Sequence, residues 1–309
     1  MASRRIRIGI SSCLLGEPVR YNGGHKRDRY ITDVLSEHFE FLPYCPEVAI
    51  GLGVPRATIR LRGGATGPRA IQPDAGERDV TNELARYGRR VAAAEPSLSG
   101  YIFKARSPSC GPARVRVYDR NGSPSGSAAG IYAAAIREEL PLMPVEDEGR
   151  LNDPDLRDNF IERVFVYDRW QRMLARGITP AALVRFHSEH KFLVLAHNQT
   201  ALRELGRLTA NLATGLPAIA ERYGARLMDA LSRPARRGDQ VNALQHVAGF
   251  FRGRIDTDDR RELAVAIDGY RDGRVPIIVA LTLIRHHLRR HGSPWLKGQH
   301  FLHADHPRT

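Results

Sequence analysis

Three cysteines constrain this chain more than any other feature, because each comes shortly after a run of apolar, β-prone residues. The strand-like segments are Ile6 to Ile10, Phe39 to Tyr44 and Tyr101 to Lys104, and the thiols after them are Cys13, Cys45 and Cys110. No other cysteine occurs among the 309 residues. In a parallel sheet the carboxyl ends of neighbouring strands share one edge, where ligands bind. The sequence therefore predicts that three thiols meet at one sheet edge.

The first half of the chain alternates between strand-like and helical periodicity. Further strands are predicted at 114–118 and 142–145, and helices at 27–38, 79–94 and 131–140. Strands that alternate with helices of about ten residues or more indicate an α/β fold with a doubly wound, mainly parallel sheet. The stretch 51–73 is rich in Gly, Pro and Arg, and we expect it to form a long functional loop without regular structure.

A polar, broken run from Glu146 to Pro154 precedes a second half in which only helical periodicity is found. Thr179 and Pro180 have the residue types of a helix N-cap and first helical position. The predicted helices are 159–175, 180–197, 199–214, 216–231, 240–251, 257–272 and 276–290. The sequence therefore predicts an α/β domain over 1–150 and an all-α domain over 151–309.

The distribution of apolar residues along the sequence indicates the cellular compartment in which the protein is expected. We find no run of about 18 apolar residues that could span a membrane, and no signal peptide at the start of the sequence. We therefore expect a cytoplasmic protein. In that compartment, three widely spaced cysteines are more typical of metal binding, catalysis or simple burial than of disulfides.

The chain is strongly basic, with a formal charge of +13. Such a charge favours a polyanionic partner, and arginine makes forked contacts to phosphate. A GC-rich genome would also replace lysine by arginine, so the residue type alone does not establish a partner. Both halves of the chain carry an excess of basic residues, so charge does not locate a binding face.

The spacing of the cysteines includes no Cys-x-x-Cys pair, so neither a structural zinc site nor a ferredoxin-type cluster is indicated. One interpretation is that all three are buried apolar residues. Their shared position at strand ends, beside Gly, Pro or Ser, favours metal binding instead. A cubic iron–sulfur cluster held by only three thiolates has one iron without a protein ligand, and that iron could bind a soft substrate atom such as sulfur.

Two polar residues lie close to the cysteines in sequence. Glu47, two residues after Cys45, could deprotonate a water or protonate a leaving group, or could instead be an ion-pair partner of Arg56. Ser107, three residues before Cys110, could hydrogen-bond a substrate, or could simply cap a turn. Ser109 is the other candidate for the serine role.

Four motifs occur in order in the first half: Cys13 to Gly24, Cys45 to Glu47, Val54 to Arg56, and Ser107 to Gly111. They resemble the thiouracil desulfidase family, DUF523, over roughly residues 5–150. The second half resembles the DUF1722 or YbgA-like domain, through motifs that include 186–191, 244–246 and 276–283. Together the halves resemble the fused, two-domain desulfidases that act on 4-thiouridine in tRNA.

The resemblance implies a [4Fe-4S] cluster on Cys13, Cys45 and Cys110, with Glu47 and a serine, Ser107 or Ser109, as catalytic partners. It implies that the thiocarbonyl sulfur at C4 of the base binds the open iron, which polarises the C–S bond. Water activated by Glu47 then attacks C4, and hydrosulfide leaves without net redox change.

The helical domain is expected to be an accessory, RNA-binding domain. The candidates for phosphate contacts are two arginine groups, Arg222, Arg226, Arg233, Arg236 and Arg237, and Arg285, Arg289 and Arg290; each could instead be a solvated helix face. A second group of residues, His187, His190, His197 and His246, could hold a metal or pack within a hydrogen-bonded helix pair.

Two rival functions stay open at this point. The first is a desulfidase of free thiouracil or its nucleotide, in which the helical domain serves assembly. The second is a non-enzymatic iron–sulfur sensor that binds nucleic acid.

Overall fold

The computed structural model describes residues 5–64, 67–73, 76–212 and 215–303. Packing divides the chain into two compact units. The first runs to Phe160 and includes Val164–Asp168, and the second consists of Ile161–Arg163 and the chain from Arg169 on. The division thus falls within the helix Pro154–Ala175, whereas the sequence analysis places the boundary after Arg150.

The first unit contains strands and helices in alternation. Its strands are β1 Ile6–Ser11, β2 Phe39–Tyr44, β3 Arg60–Arg62, β4 Arg69–Gln72, β5 Arg78–Asp79, β6 Gly100–Phe103, β7 Val115–Tyr118, β8 Pro124–Ala128 and β9 Val145–Asp147. Its helices are α1 Pro46–Ala49, α2 Thr81–Ala94 and α3 Ile131–Glu139.

Four parallel strands form the first sheet, in the order β2-β1-β6-β9. The register places Ser11 beside Tyr44, and Ile10 beside Ile102. After β1 the chain adds β2 on one side and β6 on the other, and such a reversal of strand order marks the ligand crevice of an open α/β sheet. The predicted parallel α/β fold, with the three cysteine-bearing strands side by side, is confirmed.

A second, five-stranded sheet has the order β5-β4-β3-β7-β8. The expectation that 51–73 lacks regular structure is wrong, since β3 and β4 lie within it and pair with each other. These strands are only three and four residues long, and in β3 a single buried residue, Leu61, lies between two arginines. Strands of so few residues are too short for the alternation of apolar and polar residues that predicts a strand. The buried residues of this sheet pack with Leu84 of α2 and Ile131 of α3.

The prediction of one regular helix at 27–38 is also wrong. The chain forms two short helical turns there, Tyr30–Val34 and Leu35–Glu37. Polar side chains in this stretch bond the backbone; the Ser36 hydroxyl donates to the Thr32 carbonyl at 2.6 Å. Such bonds compete with regular helix formation. The helices predicted at 79–94 and 131–140 form nearly as expected, while the last strand lies at β9 rather than at 142–145.

The described residues of the second unit form helices joined by loops and include no strand, as predicted. Its helices, beginning with the one shared by both units, are α4 Pro154–Ala175, α5 Pro180–Glu189, α6 Lys191–His197, α7 Gln199–Ala210, α8 Leu216–Ala230, α9 Arg237–Gly249, α10 Thr257–Arg271, α11 Ile277–His291 and α12 Pro294–Lys297. The predicted end of α7 at Thr214 lies outside the described residues.

Capping and aromatic packing account for the helices of the second unit. The Thr179 hydroxyl accepts the Ala182 N–H at 3.1 Å, so the predicted N-cap is confirmed. The single helix expected from there to His197 is divided at His190 into α5 and α6. Buried Tyr223 stacks on Trp170 with ring centroids 5.4 Å apart. Among the described residues, no helix is long and apolar enough to cross a membrane.

We predict that Gly9→Ala destabilises the first unit. A Cβ atom on Gly9 in β1 would lie 2.4 and 2.5 Å from two ring carbons of buried Tyr101. Overpacking of this kind costs about 1–3 kcal/mol, so thermal unfolding should begin at a lower temperature. The matched control is Gly126→Ala in β8, where a Cβ atom meets nothing within 4 Å; an equal effect of both substitutions would contradict the prediction.

Candidate active site

The three thiols are carried by the chain segments that leave neighbouring strands. Cys13 lies in a short 3-10 turn after β1, and Cys45 directly follows β2 and precedes α1. Cys110 ends a turn in the loop after β6. All three line one cavity of about 340 Å³. The structure therefore brings the predicted thiols together at the carboxyl edge of the first sheet.

The cavity combines thiols, hydroxyls, cations and a carboxylate. Glu47 and Ser107, the two other predicted site residues, line it as well. The side chains that contribute polar or ionisable atoms are Ser11, Ser12, Cys13, Arg20, Tyr21, Lys26, Tyr44, Cys45, Glu47, Arg56, Thr58, Lys104, Arg106, Ser107 and Cys110.

Burial keeps the three thiols neutral in the protein without a metal. Desolvation raises the pKa of Cys13 to about 11, and it is also the largest cause of the raised pKa of Cys45 and of Cys110. Ionising Cys13 at its site is thus harder by about 3 kcal/mol than ionising a free thiol. A metal supplies the missing positive charge, since a coordinating thiol loses its proton outright.

The donor set fits an iron–sulfur cluster better than a single metal ion. All three cysteines are free thiols, and sulfur donors select soft metals and iron–sulfur clusters. Within the described residues, no three His, Cys, Asp or Glu side chains are grouped to hold one ion.

Glu47 is held by Arg56. The Arg56 Nε donates to Glu47 Oε2 at 2.8 Å, and its two terminal nitrogens donate at 2.8 Å to the carbonyls of Gly53 and Val19. The Arg56 side chain is only 3% exposed. The ion pair that the sequence offered as an alternative role for Glu47 is therefore present, and Glu47 lines the cavity at the same time.

The two candidate serines are placed differently. Ser107 lines the cavity, and its Oγ accepts the backbone N–H of Cys110 at 3.1 Å. Ser109 is 1% exposed and donates its hydroxyl proton to Glu47 Oε1 at 2.5 Å. The two hydroxyl oxygens are 2.9 Å apart. Ser107 thus caps the turn that ends at Cys110 and also presents its hydroxyl group at the cavity, so its two alternative roles do not exclude each other.

The serine-bearing loop is fixed against the start of α3. The carbonyls of Pro108 and Ser109 each accept an N–H from the first turn of α3 at 3.1 Å, which satisfies donors that a helix N-terminus leaves open. The Gly130 N–H donates to the Gly111 carbonyl at 2.7 Å. A Cβ atom on Gly130 would lie 2.6 Å from the Ser109 carbonyl oxygen, so this contact requires glycine.

The cations that line the cavity, apart from Arg56, were missed by the sequence reasoning. Lys104 pairs with the Glu148 carboxylate, which also accepts the Ala105 N–H at 2.7 Å. Arg20, Lys26 and Arg106 line the cavity as well. One signal was available, because Lys26 and Lys104 are two of only four lysines in an arginine-rich chain, and Lys104 directly follows β6.

Three of the four predicted histidines, His187, His190 and His197, lie within hydrogen-bond distance of polar atoms of the same unit. His187 Nδ1 lies 3.1 Å from the Tyr223 hydroxyl, and His190 Nδ1 lies 2.8 Å from the Phe186 carbonyl. His197 Nε2 lies 2.6 Å from a carboxylate oxygen of the same unit. These contacts fit the packed, hydrogen-bonded interpretation of this region.

The predicted RNA-contacting arginines fall into two kinds. Arg226 pairs with Glu204 and Asp229, and Arg285 donates to the Leu302 carbonyl. The remaining members are exposed, and they are Arg222, Arg233, Arg236, Arg237, Arg289 and Arg290.

Comparison with known proteins matches both halves of the chain. The family model described as 2-thiouracil desulfurase matches residues 8–148. The model described as a protein of unknown function, DUF1722, matches residues 191–307.

Two curated relatives are similar to parts of the chain. YbgA of Escherichia coli K12 is 36% identical over 147 residues, which cover 47% of this chain and 87% of YbgA. YbbK of Bacillus subtilis 168 is 34% identical over 157 residues, which cover 47% of this chain and 98% of YbbK. A solved structure described as the [4Fe-4S]-dependent thiouracil desulfidase TudS is 31% identical, with a TM-score of 0.38, over 48% of this chain and 95% of TudS.

We predict that Cys13 in the metal-free protein is alkylated slowly at neutral pH. Only the thiolate reacts, and the raised pKa means that its fraction grows about tenfold per pH unit until about pH 11. Iodoacetamide labelling, followed by mass spectrometry of the Cys13 peptide across pH, checks this. In denaturant, the labelling rate of Cys13 should stop rising near the pKa of a free thiol, about 8.5. Identical pH profiles of the labelling rate for folded and denatured protein would contradict the prediction.

Proposed function

Because this chain belongs to the 2-thiouracil desulfurase family, we propose that it is a desulfidase that converts 4-thiouridine in tRNA to uridine and hydrosulfide. The observation that carries the proposal is the meeting of three thiols, Glu47 and Ser107 in one cavity. A thiol triad alone could serve electron transfer or sensing. A carboxylate and a hydroxyl in the same cavity supply what hydrolysis of a C–S bond needs, an acceptor for the proton of water.

Cys13, Cys45 and Cys110 are the residues that would hold a [4Fe-4S] cluster. When bound, the cluster supplies a Lewis-acidic iron without a protein ligand, to which a thiocarbonyl sulfur is a matching soft ligand. The thiols meet this role as a set, because they are the chain's only cysteines and all three line the cavity.

Glu47 acts as the proton acceptor. It forms a salt bridge with Arg56 at 2.8 Å and lines the cavity. Ser107 hydrogen-bonds the attacking water. The oxygen of that water bonds to C4 and the C–S bond breaks. One proton of the water passes to Glu47 and the other ends on the departing sulfur, which leaves as hydrosulfide. No electron is transferred to or from the substrate.

A phosphate-bearing substrate is supported by the cations at the cavity. Arg20, Lys26 and Arg106 line it, and within the described residues none of them forms a salt bridge. Lysine and arginine are the usual ligands of nucleotide phosphates. In the helical unit, the exposed arginines of α8, the segment after it, α9 and α11 would contact further phosphates of a folded RNA.

A second candidate substrate is the free thiouracil base. The matching family model is described by that base, and a cavity of about 340 Å³ admits it without any attached phosphate. The two substrates are distinguished by whether the cavity cations contribute to binding.

We predict that protein purified and loaded with its cluster without oxygen removes 4-thiouridine from thiolated tRNA. Nucleoside analysis by mass spectrometry should show uridine gained and one sulfide released for each 4-thiouridine lost. Glu47→Gln should retain the cluster and lose activity about 100-fold or more, since general base catalysis contributes about 10²–10⁴-fold. Unchanged 4-thiouridine with fully loaded wild-type protein would contradict the proposal, and full desulfidase activity of Glu47→Gln would contradict the role of Glu47 as proton acceptor.

We predict that the paired substitution Lys26→Glu and Arg106→Glu raises KM for thiolated tRNA and weakens its dependence on salt. Each lost phosphate contact lowers the salt slope by about one. The KM for free thiouracil should stay unchanged because that base carries no phosphate. The matched control is Arg120→Glu, at an exposed arginine in the β7–β8 turn outside the cavity lining. An equal loss on both substrates would contradict the assignment of these cations to phosphate.

A further inference from the structure

A continuous chain of hydrogen bonds connects the cavity to the Glu47 carboxylate through buried Ser109. The Ser107 and Ser109 hydroxyl oxygens are 2.9 Å apart, and the Ser109 oxygen is 2.5 Å from Glu47 Oε1. Ser107 lies in the cavity wall, whereas Ser109 is 1% exposed and does not line the cavity. The two serines therefore form consecutive links rather than alternatives for one role.

The direction of each bond follows from the number of protons. The Ser109 hydroxyl donates to Glu47 Oε1, and the other carboxylate oxygen accepts from Arg56 Nε at 2.8 Å; a carboxylate only accepts hydrogen bonds. Ser109 has one hydroxyl proton and gives it to Glu47. In its contact with Ser107, Ser109 must then accept, so the proton between the two serines comes from Ser107.

A competing acceptor for the Ser109 proton exists in the Cys110 sulfur, 3.7 Å away. A hydroxyl bond to a carboxylate at 2.5 Å is charge-assisted and much stronger. The Ser107 hydroxyl donates its hydrogen bond to Ser109, and its oxygen accepts the Cys110 N–H at 3.1 Å. The oxygen keeps one further lone pair, and Ser107 lines the cavity.

We propose that Ser109 is a positioning residue that relays a proton from Ser107 to Glu47. This inference rests on the proposed desulfidase function. As water bonds to the thiocarbonyl carbon, its proton passes to the Ser107 oxygen, the Ser107 proton passes to Ser109, and the Ser109 proton passes to Glu47. One O–H bond forms and one breaks at each serine, and only Glu47 ends with an added proton. That proton returns to solvent with product release.

The relay assigns Ser107 a definite role. With its own proton directed at Ser109, Ser107 meets the cavity as a hydrogen-bond acceptor and takes the proton of water. Glu47, whose two oxygens are already bonded to Ser109 and Arg56, then receives that proton without direct contact with the water. Loss of Ser109 would separate the base from the reaction while leaving substrate contacts in place.

The test compares Ser107→Ala, Ser109→Ala and the double variant as cluster-loaded proteins acting on thiolated tRNA. Ser109→Ala should lower kcat about 100-fold or more, since general base catalysis contributes about 10²–10⁴-fold, with KM and the cluster absorption spectrum unchanged. Because both serines are links of one relay, the double variant should lose no more than Ser107→Ala alone. Ser109→Thr keeps the hydroxyl and should restore activity. The matched control is Ser99→Ala, at another buried serine, 2% exposed, away from the cavity.

Losses that multiply in the double variant, or a Ser109→Ala protein with wild-type kcat, would overturn the relay. A readout without substrate separates this result from failure of the proposed function. In metal-free protein, proton NMR should show an exchange-protected hydroxyl resonance for the Ser109–Glu47 bond, which Glu47→Gln shifts and Ser109→Ala removes. Absence of that resonance from the wild-type spectrum would overturn the relay even if the enzyme is active.

Discussion

The site depends on the side-by-side parallel pairing of β2, β1 and β6. Parallel strands end at the same edge of a sheet, so the residues that leave them are brought together even when they are far apart in sequence. Cys13, Cys45 and Cys110 come from three such exits, and no short-range motif could place them in one cavity. The twisted sheet, rather than a local loop, is the scaffold of the thiol triad.

Burial gives this triad its chemical character. The thiols are desolvated enough that their pKa values rise, which leaves them protonated at neutral pH and therefore poor nucleophiles on their own. Metal binding favours the thiolate over the thiol instead. The free energy of binding zinc to thiolate-containing peptides is about 10–16 kcal/mol, which is far more than the free energy needed to ionise each thiol. A buried triad is therefore unreactive until it holds a metal, and other polar groups of the cavity are needed for acid–base chemistry.

Those polar groups are organised by a second set of contacts. Arg56 holds one oxygen of Glu47 and Ser109 holds the other, so the carboxylate is fixed by a cation on one side and a hydroxyl on the other. The serine loop is in turn fixed by its backbone bonds to α3 and by close packing at Gly130. The orientation of the Glu47 carboxylate thus depends on contacts with both the loop after α1 and the start of a helix.

Much of this was predictable from sequence, for identifiable reasons. The three strands are rich in apolar, β-prone residues, and the helices of the second unit have clear periodicity or an N-cap such as Thr179. The second sheet was not predictable, because strands as short as Arg60–Arg62 show no readable alternation. Ser107 and Ser109 could not be told apart, because only tertiary contacts bury one and expose the other to the cavity. The role of Lys104 likewise depends on Glu148, a partner remote in sequence.

The central claim is that three thiols hold a cluster with one iron open to the substrate's sulfur. Mössbauer spectroscopy of the full chain reconstituted with iron-57 tests it most directly, with and without a thiolated substrate. The account predicts a four-iron cluster in which one iron differs from the other three, and in which that iron alone changes its isomer shift when substrate binds. A spectrum of a mononuclear or two-iron site, or four irons that do not respond to substrate, would contradict it.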